Sequence, residues 1–123
     1  MAWYVVVRDG PRVERHRADT LAAALDVLED RVRTLAPHTR RRRIDTRVRA
    51  WEPGDQVALR AELRAGRAPW ARVHGGLDVR GDGAVRAWTG GVGRAEVEEA
   101  LEETPYAALR RALGAGGSAS VAP

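Results

Sequence analysis

The first apolar run, Trp3-Tyr4-Val5-Val6-Val7, is β-branched and aromatic, and Asp9-Gly10-Pro11 closes it with a turn signal. It predicts a strand whose hairpin partner is the polar stretch Arg12–Arg17, with Val7 facing Val13. Arg15 and Arg17 suit that second arm to a sheet edge. The pattern then changes period. Leu21, Leu25, Leu28, Val32 and Leu35 recur at helical spacing and form one apolar stripe, with Asp19 or Thr20 as N-cap and Pro37 as the expected end.

Beyond Pro37 the alternation returns. If Glu52-Pro53-Gly54-Asp55 is a turn, Ile44, Thr46, Val48 and Ala50 pair with Leu63, Ala61, Leu59 and Val57 on one face. The other face would pair Trp51–Gln56, Arg49–Ala58, Arg47–Arg60, Asp45–Glu62 and Arg43–Arg64. A helix over 55–66 is the competing expectation, since Ala, Leu, Arg and Glu all favour one. A second hairpin reads around Gly81-Asp82-Gly83, pairing Val79–Val85, Leu77–Ala87 and Asp78–Arg86, the last as an ion pair. Trp88 then lies opposite Gly76, where a missing side chain leaves room for an indole. Val97, Ala100 and Leu101 among glutamates suggest a short helix, with a final strand as the alternative. Thr104-Pro105 starts another helix that Gly114 stops.

The order ββα-ββββ-α(α) predicts an α+β two-layer sandwich, a mainly antiparallel sheet with helices on one face. Residues 1–113 form one domain in this reading, and 114–123 a flexible Gly/Ser/Ala tail.

Composition narrows the chemistry more than it identifies it. All 21 basic residues are arginine, Cys is absent, and the two serines, Ser118 and Ser120, lie in the tail. Lysine Schiff bases, thiolate nucleophiles, disulfides and a serine triad are therefore excluded. Abundant Ala, Arg, Gly and Val without Lys or Asn resembles the coding bias of a GC-rich genome. The basicity is also modest, because 17 acidic residues leave a net charge of +4. It is unevenly placed, with eight Arg against one Asp in 31–49 and five Glu against one Arg in 94–103.

His16, His38 and His74 have no metal-ligand spacing, so neither metal nor cofactor is expected. An Asp45–Glu62 pair assisted by His74 or a tyrosine is the remaining hydrolytic arrangement. Flanking Arg would keep both carboxylates ionised, so the chain is expected not to be an enzyme. No apolar run nears the roughly 18 residues that span a bilayer, and the N-terminus does not begin a signal peptide, so a cytoplasmic location is expected.

Function is expected on the sheet face away from the helices. The two hairpins would gather Arg43, Arg47, Arg49, Trp51, Arg60, Arg64, Trp70, Arg72, His74, Arg80, Arg86 and Trp88 there. Arg with Trp is the composition of binding hot spots. The first expectation is protein association, most simply a homo-oligomer burying this face. The second is RNA or single-stranded DNA binding by the same face, with Arg40, Arg41 and Arg42 as phosphate contacts. A solvated lattice of ion pairs, or cover by the Glu-rich segment 96–103, would explain the same residues without function.

Overall fold

The computed structural model describes residues 2–45, 57–68, 70–90 and 94–114, and their side chains except those of 39–45. It is an α+β fold. Among the described residues six strands form one antiparallel sheet: β1 (Trp3–Asp9), β2 (Arg12–Ala18), β3 (Val57–Arg64), β4 (Val73–Arg80), β5 (Val85–Thr89) and β6 (Ala95–Glu96). The spatial order is β2-β1-β3-β4-β5-β6. Helices α1 (Leu21–Asp45) and α2 (Pro105–Ala112) cover one face.

The core lies between these layers. Val5 and Val7 from β1, Leu59, Ala61 and Leu63 from β3, and Leu77, Val79 and Ala87 from the β4–β5 hairpin meet Leu25, Leu28 and Val32 of α1 and Leu109 of α2. These strand residues alternate because successive side chains point to opposite faces. The helical ones recur at three and four because only one stripe of α1 reaches the sheet. Thr20 caps α1, its hydroxyl accepting from Ala23 N at 3.1 Å. Thr104 caps α2 in the same way through Ala107 N, with Pro105 starting the helix. Arg110 bridges the helices, donating to Asp26 at 2.7 Å and Glu29 at 3.3 Å, while Arg33 stacks 4.2 Å from the Tyr106 ring centre.

The β4–β5 hairpin has the expected register, with Val79 opposite Val85, Leu77 opposite Ala87 and Gly76 opposite Trp88. Its three-residue loop closes through Arg80 N to Ala84 O, and Gly83 takes the left-handed conformation (φ 94°) that such a loop requires. Asp78 stands opposite Arg86 as expected, but the two form no ion pair, and Arg86 pairs with Glu96 instead. Asp78 accepts two bonds from Arg60 on the other neighbouring strand, at 2.8 and 2.9 Å.

Four other expectations are corrected. The first hairpin turns on two residues, Gly10 (φ 63°) and Pro11, so Val13 faces Arg8 and Val7 faces Glu14. The helix does not stop at Pro37; α1 runs through it to Asp45. An interior proline removes one backbone donor, but the following arginines favour helix and Leu35 and Ala36 still pack on the core. Among the described residues the expected pairing of 43–45 with 62–64 is therefore absent. Arg43, Ile44 and Asp45 are helical, and β3 pairs with β1 on one side and β4 on the other, placing Leu63 between Val5 and Gly75. The partners 46–51, with the turn at 52–55, lie outside the described residues. Finally, the helix expected around 97–101 is a loop after the two-residue β6, and the fifth and sixth strands complete the sheet instead.

Candidate functional site

The sheet face away from the helices divides into two halves of different electrostatic character. Registers across it define rows. One runs Arg17–Tyr4–Arg64, the next Arg15–Val6–Glu62–Gly76–Trp88–Glu96, and the third Val13–Arg8–Arg60–Asp78–Arg86.

On the β3–β6 half, each of Arg60, Arg80, Arg86 and Arg94 has a carboxylate partner. Asp78 holds Arg60 and also accepts from Trp88 Nε1 at 3.0 Å. Glu96 reaches Arg86 at 3.3 Å and Arg80 at 3.7 Å. Trp88 lies beneath this lattice, with the Arg94 guanidinium 4.3 Å and that of Arg60 5.7 Å from its ring centre. It is only 4% exposed. The indole fits because Gly76 opposite has no side chain.

The β2–β1–β3 half is different. Here Tyr4, Val6 and Gly66 line a hollow of about 520 Å³ whose surroundings include Arg8, Arg15, Arg17, Arg64 and Arg67. Two carboxylates reach this set. Glu62, 6% exposed, accepts from Arg64 at 3.1 Å and has Arg8 at 3.8 Å. It is shared with Arg94, also at 3.8 Å. Asp19 meets Arg17 at 3.0 Å in an exposed pair. Arg8 and Arg64 share Glu62 and Arg17 has Asp19, whereas among the described residues Arg15 and Arg67 have no carboxylate partner, so guanidinium is in excess. His16 joins the rim, its ring 3.1 Å from Glu14. Glu14 is held well below the usual carboxylate range, at about 2, chiefly by two bonds from Arg31 of α1 and then by His16.

The sequence-expected site residues are thus dispersed. Arg60, Arg64, Arg80, Arg86 and Trp88 do share the outer face, but Trp88 is covered and presents little surface to a partner. Trp70 is 85% exposed in the connection before β4, and Arg72 is exposed two residues later. His74 is not on this face. The register shifts by one residue between Leu63 and Arg64, and the imidazole lies edge-on to Trp3 at 4.9 Å, beside the core. Burial, helped by Arg72, pushes its pKa down. Arg40, Arg41, Arg42 and Arg43 belong to α1 and do not enter a strand. Arg47, Arg49 and Trp51 lie outside the described residues. Asp45 and Glu62 do not form a cross-strand pair, since Glu62 stands between Val6 and Gly76.

The hollow itself, with Tyr4, Val6, Arg8, Arg15, Arg17 and Arg67, was not expected. Its signal is present in the alternation of Tyr4/Val6/Arg8 against Arg15/Arg17, read with a two-residue turn. Such a site defines a class, an open-faced α+β domain with a basic hollow on its sheet. Comparison with protein-family models, with curated proteins and with solved structures returns no match. Among the described residues no group of three or more His, Asp and Glu could hold a metal, and no helix is long and apolar enough to cross a membrane.

Proposed function

We propose that this is a non-catalytic binding domain whose hollow takes the backbone of a single-stranded nucleic acid, RNA or DNA. The observation that supports it is the surplus of guanidinium around a floor containing Tyr4. Planar arginines match phosphate oxygens, and a tyrosine ring at the base offers a stacking surface that every base can use. The hollow's volume falls within the ordinary range for ligand sites. On the other half of the face the arginines are already engaged, so fewer counterions would be released there on binding. Protein association through the Arg/Trp half is the second reading, favoured by exposed Trp70.

Fluorescence anisotropy with a labelled oligo(U) or oligo(dT) of about a dozen nucleotides tests the proposal. The logarithm of the association constant should fall linearly with log[salt], by about 0.7 per phosphate neutralised. Arg15→Ala with Arg67→Ala should weaken binding on the order of tenfold and flatten that slope by roughly 1.4. Arg86→Ala, in the half whose arginines are already paired, should change neither quantity. Absence of saturable binding at low salt, or indifference to the Arg15/Arg67 pair, sinks the reading.

A further inference from the structure

The connection between β6 and α2 is a fixed protrusion, although it has no regular structure. Glu103 anchors it, accepting from Arg111 Nε at 2.9 Å, from Arg111 Nη2 at 2.8 Å and from Ala100 N at 2.8 Å. Arg111 also donates to Glu98 O at 2.9 Å. A carboxylate bonded in this way competes with helix for the local backbone donors. Glu103 N also donates to Ala100 O at 3.0 Å, closing a turn in which Glu102 holds a left-handed backbone (φ 64°), which a non-glycine residue rarely adopts. At the tip Leu101 is 94% exposed. Glu98, Glu99 and Glu102 around it are exposed and have no cationic partner among the described residues.

This protrusion and the basic hollow are complementary. One offers an apolar side chain ringed by carboxylates without cationic partners among the described residues, the other a floor containing Tyr4 beside Arg15 and Arg67, which have no carboxylate partner among the described residues. They cannot meet within one chain. β1 and β6 are four strand spacings apart in the sheet, roughly 19 Å at the usual 4.8 Å separation. We infer that the 98–102 loop of one copy docks into the Arg15/Arg67 hollow of a second copy. Leu101 meets Tyr4, and the glutamates meet the rim. The contact joins two different patches, so a docked pair still carries one free loop and one free hollow, and association proceeds head to tail. The loop occupies the hollow proposed above for nucleic acid, so the two compete, but the docking does not depend on that reading.

Sedimentation or light scattering of nuclease-treated protein, from about 10 μM to 1 mM at roughly 50 mM salt, tests this where Debye screening is weak. The weight-average mass should rise with concentration, and return to the monomer value near 0.5 M salt. Leu101→Ala, at a fully solvated position that cannot affect the core, should weaken association on the order of tenfold. Arg15→Glu/Arg67→Glu and Glu98→Arg/Glu99→Arg should each be monomeric alone. Mixed, they should associate again, because each variant's altered patch meets its opposite. A monomeric wild type at low salt overturns the inference, as does association that survives both charge variants and Leu101→Ala. Oligonucleotide binding without self-association would refute only this docking. Self-association without oligonucleotide binding would refute only the nucleic-acid proposal.

Discussion

Replacing Gly76 by alanine should destabilise the domain by overpacking the face of the sheet that holds Trp88. Gly76 stands in β4 between Glu62 of β3 and Trp88 of β5. An added methyl would drive into the Ala61 carbonyl oxygen and lie 2.6 Å from Trp88 Cζ2 and 3.0 Å from Cε2. Carbon atoms prefer about 3.5–4.0 Å, so the indole would have to withdraw by roughly an ångström. It has nowhere easy to go. Asp78 holds its Nε1, and Arg94 and Arg60 cover its face. The carbonyl is backbone in an interior strand and cannot swing aside. Overpacking of this kind costs about 1–3 kcal/mol, and opening the adjacent β3–β4 bonds about 1 kcal/mol more. Reduced freedom of the unfolded chain returns at most about 1 kcal/mol. A net loss of about 1–3 kcal/mol lowers Tm by roughly 4–12 °C, taking about 4 °C per kcal/mol for a chain of this size. Circular dichroism melts of wild type and Gly76→Ala measure it directly. Gly66→Ala is the control, since its methyl meets only Ala71 Cβ at 3.6 Å. Truncating Trp88 to Val should cost less in the Gly76→Ala background than in wild type, a coupling a double-mutant cycle resolves. A Tm within about 3 °C of wild type for Gly76→Ala would refute the steric argument.

Asp78→Ala should lose about 2–3 kcal/mol in urea titrations, because it leaves Arg60 and the Trp88 N–H without their shared acceptor in a partly sheltered position. An unchanged midpoint would mean the lattice contributes nothing. Glu14 gives a pH signature. Its folded pKa of about 2 lies below the ordinary 4.5, so its contribution is full above about pH 4.5 and disappears as pH falls toward 2. The Tm difference between wild type and Glu14→Gln should therefore be largest near neutrality and close over that window; a gap independent of pH contradicts the Arg31 pairing. Thr104→Ala should cost about 1 kcal/mol through loss of the α2 cap, and Thr104→Ser much less. Equal melts for all three proteins would count against the cap.

Local grammar made part of this fold readable. Gly81-Asp82-Gly83 sets the loop length of its hairpin, and with it every pairing from Val79 to Gly76, including the space for Trp88. The stripe from Leu21 to Leu35 and the Thr104-Pro105 cap were legible for the same reason, since neighbours in sequence decide them. The partner of β3 was not. Its alternation names a buried face but not the strand beside it, and Val5 and Val7 satisfy that face as well as Ile44 and Val48 would. The chosen strand lies some fifty residues away. The extra residue beside Leu63 leaves no mark in the pattern, so His74 was assigned to the wrong side. The basic hollow went unread because it depends on both uncertainties: the two-residue turn aligning Arg15 with Val6, and the β1–β3 contact bringing in Arg64.

That β1–β3 contact also divides the folding problem. The β1–β2 hairpin and the β3–β4–β5 meander are each local, whereas their join requires closing a chain segment that includes all of α1. Non-local pairing of this sort is the slow part of assembly. The hollow straddles the join, with Tyr4, Val6 and Arg8 on one side and Arg64 on the other. It therefore comes into existence only when the last seam shuts. A ligand in it is expected to slow the reopening of that seam, which amide exchange along β1 and β3 would register.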